Sequence, residues 1–268
     1  MKINILGTGD ALATKCYNTC FVLEENNKYF LVDAGGGNGI LVQLEKANIS
    51  LKNIESMFIT HTHTDHFLGA IWIIRMIGRL YLREDFNKPF YIYGNNEVIK
   101  AIIKVCEAVL PERFNNLLGK EIKLIEVDTG NEFEILGKKL EFFDIHAKKV
   151  KQTGITIWLN KEDRFTFIGD EVCSKPTEKV VENSKWLMAD AYMAGKEAEE
   201  YDPINKHSHS TVKFVAELSN RLNVKNLIMS HTVDKDLENR KRIFTEDAKK
   251  YFTGNIFVPD DLETIELK

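Results

Sequence analysis

The sequence predicts a mixed α/β (α+β) fold in which two β-sheets are covered by helices. Three observations carry that reading. Short β-rich runs recur between turn signals along most of the chain, and many arrive as consecutive hairpins. Helical periodicity is confined to a few stretches, clustered after a histidine-rich turn and in the C-terminal third. The regular strand-helix alternation of a doubly wound parallel sheet is therefore missing. At 268 residues, with no Pro/Gly/Ser linker, low-complexity tract or solenoid-length repeat, the chain reads as one domain spanning 1–268.

In chain order, strands are expected at 2–6, 19–24, 28–32, 56–60, 90–94, 121–127, 139–145, 154–159, 164–169, 185–189 and 226–230, each a short run rich in β-branched, aromatic and other apolar residues. Helices are expected at 39–48, 67–82, 95–109, 210–222 and 240–252, where apolar residues recur at spacings of three and four. Ser208 or Ser210 is placed to cap the fourth of these helices. The large apolar residues between 67 and 120, among them Trp72, Tyr91 and Tyr93, read mostly as core, with a few free to wall a cleft.

Composition excludes several classes. Hydrophobic residues at 44% and charged residues at 28% are those of an ordinary globular protein, and a net charge of −4 argues against a surface that grips long nucleic acid everywhere. Four cysteines without a CxxC pair do not make a disulfide framework. The opening MKINILGTG runs as a strand into a turn instead of a signal peptide, and the longest apolar stretch, 67–82, is interrupted by Arg75 and Arg79 and too short to span a bilayer. A cytoplasmic protein without membrane attachment is expected.

The chemistry concentrates in HTHTDH at 61–66, which holds three of the seven histidines. His61 and His63 follow a strand, and in extended backbone residues two apart point the same way, so both imidazoles can reach one ion. Asp65 and His66 come after the chain turns and aim a few ångströms further on, which points to two adjacent ions. Further metal-capable side chains stand at the ends of expected strands: His146, Asp170 and His231. Asp33, in LVDAGGG, is either a carboxylate that orients an imidazole N–H or a turn residue that caps the next backbone amides. The glycines of GTGDAL and GGGNGI lack the spacing of a phosphate loop and read as tight turns.

HTHTDH is the HxHxDH signature of the metallo-β-lactamase superfamily. LGTGDA at 6–11, LVDAGGG at 31–37, His146, Gly169–Asp170 and Ser230–His231 follow the order of its motifs, so the resemblance spans nearly the whole chain. It implies a four-layer αββα sandwich with a two-metal site at one edge. Carried over residue by residue, it implies that His61, His63 and His146 hold the first ion, that Asp65, His66 and His231 hold the second, and that Asp170 bridges both. Imidazole with carboxylate suits zinc, with manganese and iron as alternatives. Two divalent ions, two aspartates and a bridging hydroxide leave a residual charge of about +1, which favours an anionic substrate. The superfamily's oxygen-reducing diiron members commonly carry a carboxylate where this chain has His63.

HST at 209–211, preceded by Asp190, resembles the corresponding region of ribonuclease Z and related phosphodiesterases. The resemblance implies that His209 donates a proton to the leaving oxygen, that Asp190 orients it, and that Asp65 belongs with them to the catalytic set. The bland reading of His207 and His209 is an exposed pair at a helix start. The interval from His146 to Asp170 is filled by two strands and has no room for the long tRNA-gripping arm of that family. Likewise, the family's Pro- and Arg-containing stretch is replaced by LATKCYNT at 12–19. The expectation is a dimetal phosphodiesterase or nuclease acting on RNA or a nucleotide, with a homodimer compatible with the missing arm. Hydrolysis of a carboxyl ester, thioester or lactone on the same site is the alternative, and a non-hydrolytic redox or metal-binding role the third reading.

Overall fold

The computed structural model describes residues 1–201 and 209–268. His207 and Ser208, weighed above as an exposed histidine and a helix cap, lie outside the described residues.

The first sheet contains β1 (Lys2–Gly7), β2 (Cys20–Glu25), β3 (Lys28–Val32), β4 (Ile54–Ile59), β5 (Phe90–Gly94) and β6 (Ile122–Glu126). The second contains β7 (Glu132–Ile135), β8 (Lys138–Asp144), β9 (Thr153–Trp158), β10 (Arg164–Phe167), β11 (Trp186–Asp190), β12 (Asn226–Ser230) and β13 (Asn255–Phe257), after which β14 (Thr264–Glu266) returns to the first. The spatial orders are β14-β1-β2-β3-β4-β5-β6 and β13-β12-β11-β10-β9-β8-β7. In each sheet an antiparallel portion joined by short turns leads into a parallel portion. Parallel neighbours need crossover connections, and these carry the helices. Helix α1 (Gly39–Lys46) leads toward β4, α2 (Thr64–Leu82) joins β4 to β5, and α3 (Asn96–Val109) with the short α4 (Glu112–Asn115) joins β5 to β6. In the second half, α5 (Lys175–Val181), α6 (Lys196–Glu199), α7 (Val212–Arg221) and α8 (Leu237–Ala248) connect the strands from β10 to β13.

Strand alternation explains the layering. In β2 and β3, Cys20, Val22, Tyr29 and Leu31 join the cluster under α1, α2 and α3, while Phe21, Leu23, Phe30 and Val32 point into the space between the sheets. There Phe21 meets Phe167 edge-on at 5.1 Å and Phe58 meets Phe142 at 5.0 Å. A third cluster, including Leu187, Ala189, Leu227 and Met229, lies under α7 and α8. Three separate apolar layers make the αββα sandwich expected from the motifs. Because both faces of the central strands are buried, these strands read as continuous apolar runs.

All eleven expected strands and all five expected helices are present. The structure adds β7, β13 and β14, short strands whose polar composition hid them. Helix α2 begins three residues earlier than its apolar periodicity indicated, with His63 extended at the N-cap, so Asp65 and His66 stand in the first helical turn. The cap of α7 is Thr211, whose hydroxyl accepts from the Phe214 N–H, while the Ser210 N–H donates to Asp190. Of the aromatic segment, Trp72 and Tyr91 are 41% and 38% exposed. Cys173 packs in the third core cluster.

Candidate metal centre

The carboxyl ends of β3, β4, β8, β10, β11 and β12 come to one edge of the sandwich, where open α/β sheets commonly place ligands. Asp33 leaves β3, Thr60 and His61 leave β4, Asp170 follows β10, Asp190 closes β11 and His231 follows β12. Asp33 and His231 sit in the left-handed region at φ 56° and 55°, and Gly169 at φ 70° turns the chain to present Asp170. Left-handed backbone costs a residue other than glycine about 1–2 kcal/mol. Here it rotates the side chain at a strand end into the cleft.

The start of α2 is pressed against the Asp33–Gly36 turn. Ala34 N–H donates to the His66 carbonyl and Gly69 N–H to Gly35. A Cβ on Gly69 would lie 1.8 Å from the Ala34 carbonyl oxygen, so only glycine permits this approach. The packing puts His66 directly beside Asp33.

One carboxylate then sets two imidazoles. Asp33 Oδ1 accepts from the Thr60 N–H at 2.8 Å, and Asp33 Oδ2 lies 2.8 Å from His66 Nδ1. The Thr60 hydroxyl donates its single proton to Asp33, so it accepts from His61 Nδ1 at 2.9 Å. Both imidazoles thereby carry their proton on Nδ1 and turn a free Nε2 lone pair into the cleft. Of the two roles weighed for Asp33, the structure shows the imidazole partner: its carboxylate accepts from Thr60 across the sheet, while the following amides of Ala34 and Gly36 donate to the His66 carbonyl and to Asn18 Oδ1 instead. Thr60, one residue ahead of HTHTDH, was not singled out from the sequence, where a threonine ending a strand has no distinguishing mark.

The donor atoms converge. His66 Nε2 is 3.2 Å from Asp65 Oδ2 and 3.4 Å from Asp170 Oδ2. His231 Nε2 is 3.3 Å from Asp65 and 3.6 Å from Asp170, and His61 Nε2 is 3.6 Å from Asp170. Ligands held at the usual zinc distances in a tetrahedral shell stand about 3.3–3.6 Å from one another. Ordinary hydrogen bonding does not account for the arrangement. The buried Nε2 atoms of His61 and His66 have no hydrogen-bond partner although both lie within 3.6 Å of Asp170 Oδ2, and Asp170 Oδ1 is likewise buried without a partner. Convergent sets form from His61, His66 and Asp170, from Asp65, His66 and His231, and from Asp170, His209 and His231.

Electrostatics agree with a cation at this position. Burial holds His61 down to about 3. For His66 burial also opposes protonation, yet Asp33, Asp170 and Asp65 outweigh it and raise the imidazole well above its ordinary range. Asp65 and Asp170 are held below the usual carboxylate range, the surrounding imidazoles overcoming their burial. The cluster thus recruits positive charge, and a proton and a divalent cation compete for the same Nε2.

His63 and His146 stand differently. The half-buried His63 ring lies 4.5 Å from that of His61, yet His63 belongs to none of the three convergent sets. His146, in left-handed backbone at φ 59°, is exposed on the rim and likewise outside them. Its loop nevertheless flanks the site, because Ile145 and Gln152 hydrogen-bond across it and both touch the Gly169 position next to Asp170.

His209 and Asp190 are brought together. Asp190, fully buried, accepts from the Ser210 N–H at 2.8 Å and meets His209 Nδ1 at 3.1 Å through the same oxygen. Its other oxygen faces His231 Nδ1 at 3.8 Å. Burial disfavours the His209 cation, but Asp190 overcomes it and pushes the imidazole up to about 9. His209 stacks on His231 at 4.9 Å and Tyr192 stacks on His209 at 5.0 Å, which fixes the plane of the ring. Tyr192, absent from the expected site, lies in an apolar-looking run whose role only the tertiary structure shows.

Residues 1–251 match the family described as anti-Pycsar protein Apyc1. Among curated relatives, the ribonuclease Z of Archaeoglobus fulgidus is 24% identical over 97% of this chain and 95% of its own, and that of Methanothermobacter thermautotrophicus is 26% identical over 100% and 97%. Among solved structures, the short form of human tRNase Z superimposes with a TM-score of 0.75 at 19% identity, covering 100% of both chains. A diphosphatase of the PhnP family gives 0.74 at 14% identity over 100% and 98%, and the metallo-β-lactamase fold protein YhfI of Bacillus subtilis gives 0.75 at 14% over 98% of each. The fold is that of the metallo-β-lactamases.

Proposed function

The chain belongs to the family of the anti-Pycsar protein Apyc1, and from that premise and the donor cluster we propose that it is a metal-dependent phosphodiesterase that cleaves a nucleotide or short RNA phosphodiester with His209 as general acid. The observation that carries this reading is the pairing of His209 with Asp190 at the wall of the donor cluster. Relatives of the same fold bear the names ribonuclease Z and diphosphatase, both phosphate chemistries.

Divalent ions bound here would supply Lewis acidity and would acidify a coordinated water at neutral pH. In the proposal His61, His63 and His146 serve one ion, Asp65, His66 and His231 the other, and Asp170 both. The imidazole and carboxylate donors suit zinc, with manganese or iron as substitutes. The protein's own contribution is orientation and proton supply. Asp33 and Thr60 hold His66 and His61 in the tautomer that offers Nε2. Asp190 keeps His209 protonated at neutral pH, so its Nε2–H can pass to the departing oxygen of the substrate as the bond to phosphorus breaks. The ring stack of Tyr192, His209 and His231 prevents the acid from swinging away.

Substrate size follows from what stands between His146 and Asp170. A loop at 147–152, β9, a tight turn and β10 fill that interval, so no arm reaches out to hold a folded tRNA. Residues 1–268 acting as one domain, with a second copy completing the cleft, is the organisation we propose. The free cysteines Cys16, Cys20, Cys106 and Cys173 suit the reducing cytoplasm, and no described helix is long and apolar enough to cross a membrane.

The test is turnover of zinc-loaded protein on a ribodinucleotide, whose leaving group is a poor alkoxide, against a panel of lactone, thioester and nitrocefin substrates, with metal content measured alongside. Phosphodiester cleavage that drops in His209→Ala while metal is retained supports the assignment. Carboxyl-ester cleavage indifferent to His209 refutes it.

A further inference from the structure

A cavity of about 550 Å³ lies at the far end of α2 and is lined by Arg75, Arg79 and Arg83 together with Arg113 of α4, over Phe114 and Met76. Arg75, Arg79 and the C-cap Arg83 recur every four residues, so they share one face of α2 and repel one another. Asp85, the nearest aspartate in sequence, is paired with Lys52 at 3.3 Å. Glu84 and Glu112 adjoin Arg83 and Arg113 in sequence, yet among the described residues no carboxylate forms an ion pair with any of the four arginines. The guanidinium carbons of Arg75 and Arg113 instead lie 5.4 and 5.1 Å from the same Phe114 ring centroid.

A bland account exists for part of this. Cations are favoured near a helix C-terminus, which covers Arg79 and Arg83. It leaves Arg75 in the body of α2 and Arg113 on another element. Four like charges from two elements meeting in one concavity are costly without a counter-charge, and each guanidinium is a planar donor fork suited to bidentate oxygen acceptors. The site is separate from the metal centre: the fourteen helical steps from Asp65 to Arg79 span about 21 Å.

We propose that this cavity binds a compact, multiply charged phosphate ligand, a polyphosphate or the polyphosphate tail of a nucleotide, at a position remote from the hydrolytic site. Compactness is favoured over a nucleic-acid strand because the arginines converge on one pocket instead of tracking a groove, and the chain as a whole is acidic at −4. Leu82, 49% exposed, and Met76 offer the apolar contact that a base would use. Binding weakens with added salt, since all four contacts are ionic.

Isothermal titration of the metal-loaded protein with inorganic triphosphate and with a nucleoside triphosphate tests this, comparing wild type with Arg79→Ala/Arg113→Ala. The expected result is a single site that weakens at least about tenfold in the double variant, while ribodinucleotide turnover is unchanged. Tighter binding of the nucleotide identifies a nucleotide ligand, and equal affinity a polyphosphate, both within the proposal. Should the double variant melt at a lower temperature than wild type, Arg79→Glu alone provides the comparison. Equal affinity in wild type and variant overturns the proposal, because the anion then sits at the metals. Arginine-dependent binding of a short single-stranded RNA with no triphosphate binding overturns it in favour of a nucleic-acid surface.

Discussion

Replacing Asp190 with asparagine removes the charge that keeps His209 acidic while preserving shape. The Ser210 N–H still requires an oxygen, so the amide oxygen stays on the side shared by Ser210 and His209 and the amide NH2 turns toward His231. Burial opposes the His209 cation and Asp190 more than compensates, holding it at about 9 against an ordinary 6.5. The sign is that of a raised imidazole: the acid form persists through neutral pH and is lost as pH rises through about 9. Without the carboxylate, His209 titrates no higher than about its ordinary 6.5. At pH 8 the protonated fraction then falls from about nine tenths to about 3%, a loss of about thirtyfold, or about 2 kcal/mol of transition-state stabilisation. The assay is kcat for a ribodinucleotide between pH 6 and 10 with metal content measured on the same samples. The basic limb is expected to move down by at least two pH units, with a much smaller loss for bis(p-nitrophenyl) phosphate, whose leaving group needs little help from an acid. A basic limb that stays near 9 in the variant refutes the acid role. Metal loss in proportion to the rate loss refutes it too, and assigns Asp190 to holding His231.

Asp33→Ala unties His66 and His61 together, and a tenfold to hundredfold loss of metal affinity is expected in chelator competition. Gly69→Ala drives a methyl into the Ala34 carbonyl at 1.8 Å, so stability should fall by about 1–3 kcal/mol and the melting temperature by several degrees, with weakened metal retention because His66 shifts with the helix. Chelation should abolish hydrolysis and lower the melting temperature, and readdition of zinc should restore both. Turnover should also fall at acid pH, since the Nε2 atoms must be unprotonated to bind metal; a profile flat down to pH 5 contradicts the ligand assignment.

Much of the site is legible in the sequence because its chemistry is dense and local. HTHTDH puts three imidazoles and a carboxylate at one strand-to-helix junction, and no buried apolar core needs that composition. His231 and Asp170 are detectable because each follows a recognisable strand, whereas the His209–Asp190 pair is detectable through HST at 209–211 and the preceding acidic residue, which resemble the corresponding region of ribonuclease Z. Thr60 and Tyr192 escape notice since their roles consist of what they touch: a hydroxyl shared between Asp33 and His61, and a ring laid on His209. Missed strands fail for a different reason. β7, β13 and β14 lie at sheet edges, are only three or four residues long, and interrupt their apolar residues with Glu, Asn and Thr.

The backbone at the site links these two kinds of legibility. Asp33, His146 and His231 all adopt φ between 55° and 59°, at the ends of β3, β8 and β12. Asp and His tolerate this region better than branched residues do, yet each still costs free energy that glycine would avoid. Glycine supplies no donor atom, however, so a strand end that must both reverse and present a ligand cannot use it. Where the two tasks are divided, glycine takes the turn: Gly169 sits at φ 70° and Asp170 after it provides the carboxylate. The same edge thus shows both solutions, and His146 is the informative case. Its backbone carries the strained turn that Asp33 and His231 use to reach the cluster, although its imidazole stands on the rim. The turn is held locally by the His146 N–H, which donates to Asp144 Oδ1 at 2.6 Å, and it leaves the imidazole where loading with metal can draw it inward. His146→Ala should then lower metal stoichiometry toward one ion per chain without reducing the melting temperature of the metal-free protein, and an unchanged stoichiometry of two would remove His146 from the ligand set.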